Sequence, residues 1–290
     1  MLYCLYVIGF SCAALLPLPA CYDVANWAAE IYFKFSKRYK TGLRENLKIV
    51  LGEDTDSKVI DRYALDVFKN FAKYLADFFK FSKITNEFIK ENITIENREY
   101  LDECLADGKG AILVSIHIGN WEMGAGVIGS WGYPINAVVL EHSSRRINDF
   151  FVRRRILNGM KPIPVAGAVK KCLKVLKQNE LLAIVGDKDY QSSGLYVDFF
   201  GKKAFLPKGP AVLAFRTGAP LICTILVREK NDKYRLIFEK IEEYVPIGEY
   251  EKDIKLLMRG YLKVFEKHIR EKPDQWYVFN KVWNPEKIIL

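Results

Sequence analysis

The chain has 290 residues, half of them hydrophobic and 27% charged: enough apolar material for a sizeable core, and not the composition of a disordered chain. Its formal net charge is +9, which suits an acidic partner such as nucleic acid, anionic lipid headgroups or an acidic carrier protein, and charge alone does not choose among them. Six cysteines include no Cys-x-x-Cys pair and are joined by only three histidines, which disfavours a zinc site; they read as buried thiols in a reducing compartment, although an even count leaves disulfides open.

Residues 1–21 are strongly apolar and carry no charge before Asp23. The run is shorter than the roughly 20 residues of a clean span, is broken by Pro17 and Pro19, and lacks the basic start of a signal peptide. Lys34, Lys37, Arg38, Lys40 and Arg44 follow it, as on a cytoplasmic flank. The segment reads as a membrane anchor or interfacial helix, with a buried N-terminal helix as the alternative. Residues 22–290 read as one domain whose first third is helical.

Over 59–82, Ile60, Ala64, Val67, Phe68, Phe71, Leu75, Phe78 and Phe79 recur at helical spacing. Asp61, Arg62, Asp66, Lys69, Lys73 and Asp77 are expected largely on the opposite face. The pattern then changes. Strands are expected at 111–116, 135–140, 181–185, 221–227 and 234–239. Helices are expected from Val169 to near Asn179, over 208–217 and over 250–271. Strands alternating with helices predict an α/β fold, a mostly parallel or mixed sheet flanked by helices.

Chemistry concentrates in Ser115-Ile-His117-Ile-Gly-Asn-Trp-Glu122, where a buried strand is expected to end. A neutral imidazole at His117 can accept a hydroxyl proton near neutral pH. A carboxylate on its other ring nitrogen would fix the tautomer, and Glu122, five residues on, is the expected partner. Gly119 permits a tight turn, and Asn120 can cap the helix that follows. A core histidine and an ordinary first-turn acid are the alternative, since this spacing is common by chance. No P-loop, dinucleotide fingerprint, metal cluster or Gly-x-Ser-x-Gly elbow appears, and no nucleic-acid motif stands out.

The segment resembles the His-x4-Asp/Glu motif of lysophospholipid acyltransferases in the wide sense. With Gly119-Asn-Trp-Glu122 it resembles the lipid A biosynthesis lauroyl/myristoyl acyltransferase family, which also includes bacterial phosphatidylinositol mannoside acyltransferases. Val185-Gly-Asp187-Lys-Asp189, Phe199-Phe-Gly201 with Pro207 to Pro220, and Pro273-Asp-Gln-Trp276 resemble further motifs in that family's order. Phe279-Asn280-Lys281 departs from its usual Phe-His-Arg.

The resemblance implies a glycerolipid acyltransferase-like fold and direct acyl transfer by His117 and Glu122, with no cofactor, no metal and no acyl-enzyme. It implies an arginine that positions acidic groups, Arg155 first and Arg154 second, although these could form a solvated helix face. Asn120, Asp187, Asp189 and Arg216 join them as substrate-binding candidates; near an imidazolium Asp187 and Asp189 could orient the base or an arginine, or they could form a polar strand-end turn, and Arg216 suits a structural role. Lys202, Lys203 and Lys208 make a basic edge. The donor would be an acyl carrier protein thioester and the acceptor a lipid A precursor-like glycolipid, at the cytoplasmic face of the bacterial inner membrane. Acyl-CoA-dependent transfer to a glycerophospholipid or phosphatidylinositol mannoside is the second reading. A basic membrane-binding protein without catalysis is the third.

Overall fold

The apolar runs expected as strands lie side by side in the computed structural model, which describes residues 9–11, 13, 15–81, 83–190, 192–242 and 244–283. The strands are β1 (Ile93–Glu96), β2 (Ala111–Ser115), β3 (Ile135–Val139), β4 (Met160–Pro164), β5 (Leu181–Val185), β8 (Leu221–Arg228) and β9 (Tyr234–Lys240), with a separate antiparallel hairpin of β6 (Leu195–Phe199) and β7 (Lys202–Leu206). The sheet has seven strands in the order β1-β9-β8-β2-β5-β3-β4. All its pairings are parallel except β8 with β9. The expected α/β class and mostly parallel sheet are therefore present.

Helices cover both faces, which is why the inner strands read as continuous apolar runs rather than alternating ones. The helices in chain order are α1 (Leu18–Phe35), α2 (Lys37–Leu51), α3 (Ser57–Lys80), α4 (Asn86–Asn92), α5 (Glu99–Ala106), α6 (Trp121–Ser130), α7 (Arg145–Leu157), α8 (Ala168–Lys177), α9 (Gly209–Thr217) and α10 (Tyr250–Glu271). Ile112, Val114, Leu182 and Ile225 pack with α8, α9 and α10. Leu113, Leu181, Ile222 and Phe238 pack on the other face with α5 and α6. Cys21, Cys104, Cys172 and Cys223 are buried thiols.

The first third is helical, as expected. α3 begins where Asp56 accepts from the Lys58 N–H at 2.7 Å, and α1 tolerates Pro19 because first-turn amides have no helical acceptor. Much of the apolar segment 1–21 lies outside the described residues. None of the described helices is long and apolar enough to cross a membrane.

Asp77 departs from its expected place on a polar face. It is 1% exposed and accepts from Tyr22 and Tyr234 hydroxyls at 2.6 Å each, from Asn120 Nδ2 at 3.0 Å, and from the Arg228 guanidinium. A buried carboxylate persists because those donors fill its acceptor sites. The network joins α1, α3 and β8 to the start of α6.

Candidate active site

Residues 116–120 connect β2 to α6, and their path depends on glycine. Gly119 has φ +55°, and a Cβ there would sit 2.0 Å from the Leu226 carbonyl oxygen. Its N–H donates to Gln275 O at 3.0 Å, and the Asn120 N–H donates to Leu226 O at 3.0 Å. The Asn120 side chain caps α6 by accepting from the Met123 N–H at 3.0 Å. The expected turn and cap are both present.

The expected partner of His117 is displaced. Asp187, not Glu122, lies on the ring, with Oδ1 2.6 Å from His117 Nδ1. The parallel register explains it: Ser115 pairs with Val185, so the residue two beyond each strand end meets the other. Asp187 Oδ2 also accepts the His117 backbone N–H at 3.0 Å and the Trp276 indole N–H at 3.0 Å. Asp187 is therefore an orienting group for the histidine. Glu122, in the first turn of α6, faces α7. Both its oxygens accept from Arg155 Nε at 3.1 Å, and Oε1 also accepts from Nη2 at 2.5 Å, a bidentate pair.

The electrostatics favour the neutral form of His117. Burial lowers its pKa below the usual histidine range and the nearby Lys188 ammonium lowers it further, which together outweigh Asp187. For Asp187, burial alone would raise the carboxyl, but His117, Lys188 and the Trp276 hydrogen bond hold it below the usual range. The pair at rest is thus neutral imidazole and carboxylate, with Nδ1 donating and Nε2 left to accept. The His117 side chain is 15% exposed, and it lines a cavity of about 870 Å³, at the upper end for ligand sites.

The remaining candidates separate. Arg155, Glu122 and Asp189 line the cavity, and Arg216 is an exposed residue on its wall near Lys208. Asp189 also accepts the Gly194 N–H at 2.7 Å, closing its own loop. Asn120 is fully buried and lines no part of that cavity; it holds α6 and Asp77 instead of meeting substrate. Arg154 is likewise absent from the cavity wall, because its guanidinium turns back to Phe79 O at 2.7 Å.

Lys188, Gln275 and Trp276 were read from sequence only as members of family motifs, with no role given to them. Lys188 lines the cavity and donates to Tyr277 O at 3.0 Å. The Gln275 side chain bonds the Arg228 backbone at 2.8 Å and 2.7 Å. The Tyr277 N–H donates to His117 O at 2.7 Å. The C-terminal Pro-x-Gln-Trp segment is thus the brace of the histidine loop. The signal that could have found Lys188 is its place between two aspartates just after β5.

A pH profile tests Lys188. The acidic limb of kcat/KM should lie below the usual histidine value of about 6.5. Lys188→Met removes a charge that disfavours the imidazolium, so its limb should move to higher pH. A limb unmoved, or moved to lower pH, would contradict the coupling.

The site is thus an imidazole–carboxylate pair at the strand ends of a mostly parallel α/β sheet, beside a large mainly apolar cavity. Residues 1–284 match the bacterial lipid A biosynthesis acyltransferase family, and the chain belongs to that family as an acyltransferase. It is similar to the phosphatidylinositol mannoside acyltransferase of Mycolicibacterium smegmatis, 25% identical over 246 residues that cover 83% of this chain and 78% of that protein. The protein of the same name from Mycobacterium tuberculosis is 25% identical over 247 residues, covering 83% of this chain and 76% of it. The non-catalytic reading is thereby overturned.

Proposed function

We propose that this acyltransferase moves a fatty acyl chain from a thioester to a hydroxyl of a glycolipid, with His117 as general base. The observation that carries the reading is His117, paired behind with buried Asp187, on the wall of the large mainly apolar cavity. Nε2 takes the acceptor hydroxyl proton, and the oxygen attacks the thioester carbonyl. The tetrahedral oxyanion collapses, the C–S bond breaks, and the imidazolium returns its proton to the departing thiolate. Backbone N–H groups of the histidine loop do not serve the oxyanion, because those of His117, Ile118, Gly119 and Asn120 are all engaged within the protein. Lys188, beside His117, is the cation we assign to the oxyanion.

The donor we propose is an acyl carrier protein thioester. Lys170, Lys171 and Lys174 on α8 are exposed and form no ion pair among the described residues, and Lys208 and Arg216 lie on the adjoining cavity wall. Such a basic flank complements an acidic protein and makes the encounter salt-sensitive. The acceptor is lipid A precursor-like on family grounds; the names of the two relatives favour a phosphatidylinositol mannoside, with acyl-CoA as the second donor. Transfer of labelled acyl chains from both donors to both acceptors, across a salt series, tests this. Label in either glycolipid supports the reading. Label in neither, with thioester intact, overturns it, and faster transfer from acyl-CoA at every salt concentration reverses the donor.

We place the enzyme on the cytoplasmic face of the inner membrane through α1. Val24, Trp27, Ile31 and Phe35 form an exposed stripe at helical spacing, with Trp27 66% and Phe35 79% exposed. Lys34, Lys37 and Arg38 lie beside it, as in helices seated in a headgroup layer. Trp27→Ser with Phe35→Ser should weaken binding to anionic vesicles about 10-fold or more, since each ring buried contributes about 1.5–3 kcal/mol. Wild-type partition of the double variant in flotation would remove α1 as the contact.

A further inference from the structure

The cavity reaches into the sheet, and the strand register measures how far. Leu113 of β2 pairs with Ala183 of β5, which pairs with Ala137 of β3, so these three form one row across adjacent inner strands. The next row toward His117 holds Ser115 and Val185. The next row away from it holds Ala111, Leu181 and Ile135, all fully buried. Successive rows on one face are about 6.6 Å apart.

Ala183 and Ala137, with Ser115 above them and Ala125 of α6 opposite, stay partly exposed in the interior of a sheet covered on both faces. They line the main cavity. Behind Ser115, Ala125 and Ala183 lies a small void of about 30 Å³, closed by Leu113, Ile128, Ile135 and Leu226. Small and apolar side chains line the inner end of this arm, with the mutually neutralising Glu122–Arg155 pair at its α6–α7 edge, whereas the α8–α9 side of the same cavity carries Lys208, exposed Arg216 and exposed Tyr250. Such an arrangement favours one orientation for a chain with a charged carrier at one end and a methyl at the other: carrier toward Lys208 and Arg216, which have no buried counter-charge like that of Arg155, and methyl toward the alanines.

We propose that Ala183, with Ser115 and Ala125, sets the length of the acyl chain that this enzyme accepts, and that Ile135 and Ile128 form the floor beneath it. The proposal rests on the acyltransfer reading and adds which side chains select the chain. A leucine at 183 would fill the arm one row above the floor. A valine at 135 would join the small void to the arm and make room for a longer chain.

Displacement of a fluorescent fatty acid by saturated fatty acids of rising length tests this on the full chain. Each methylene lost from an apolar site weakens binding by about 0.8 kcal/mol, about 4-fold. Ala183→Leu should move the preferred length down and weaken the longest chains by 4-fold or more for each methylene excluded. Ile135→Val, a milder change, should move the preference up, which a general loss of packing would not do. A length profile identical to wild type in both variants, with binding retained, overturns the floor and leaves acyl transfer standing. Failure of wild type to bind any fatty acid overturns chain occupancy of the cavity and this proposal with it.

Discussion

His117→Ala should lower turnover by about 10²–10⁴-fold, the usual contribution of a general base, while the protein remains folded. The fold should survive because Asp187 keeps two of its donors, the residue-117 backbone N–H and the Trp276 indole, and because Gly119 and Asn120 hold the loop through their own backbone bonds. Asp187→Asn should fall in the same range for a different reason. An amide oxygen can still accept from Nδ1–H, but the charge that stabilises the imidazolium is gone. The two losses should not multiply: once the imidazole is absent its orienting carboxylate has nothing to orient, so the double variant should be little worse than His117→Ala. Single-turnover rates on folded variants check this. Near-wild-type turnover in His117→Ala, or full multiplicativity in the double variant, would end the assignment of His117 and Asp187 as one unit.

Long periodic elements were legible from residues alone. The expected helix at 250–271 is α10, and the strands expected at 111–116 and 181–185 differ from β2 and β5 by at most one residue. What escaped has physical causes. β4 is Met-Lys-Pro-Ile-Pro, whose two prolines argue against a strand; it survives because it is the edge strand, where missing N–H donors do no harm. β1 has only four residues, too few to show a period. Asp77 looked like one more charge on a polar face, since its partners Tyr22, Arg228 and Tyr234 lie 55, 151 and 157 residues away. The site followed the same rule. His117, Gly119 and Asn120 are local features and were read correctly as loop, turn and cap. The carboxylate on the ring depended on the pairing of β2 with β5, 70 residues apart, and the nearer acid Glu122 was chosen in its place.

Removing Glu122 should damage the protein in two separable ways. The Glu122 and Arg155 side chains are 10% and 8% exposed, and Arg155 Nη1 has no hydrogen-bond partner among the described residues. Glu122→Ala leaves that guanidinium buried without its counter-charge, and breaking a buried pair from one side destabilises by about 3–5 kcal/mol. Against a typical total of about 5–15 kcal/mol this is a large fraction, so the variant should unfold well before wild type in urea. Glu122→Gln with Arg155→Met removes both charges at similar volume, and most of the stability should return. Activity should not return with it. If the free Nη1 donor meets an acidic group of donor or acceptor, losing one charged hydrogen bond of about 1.5–3 kcal/mol lowers kcat/KM by about 10- to 150-fold. The acidic limb of the pH profile should stay near its wild-type position, because the dominant influences on His117 are burial, Lys188 and Asp187, with Glu122 a smaller one. A double variant that regains both stability and activity would make the pair purely structural. One that regains stability but shifts the acidic limb as far as Lys188→Met would instead return Glu122 to a direct role at the histidine.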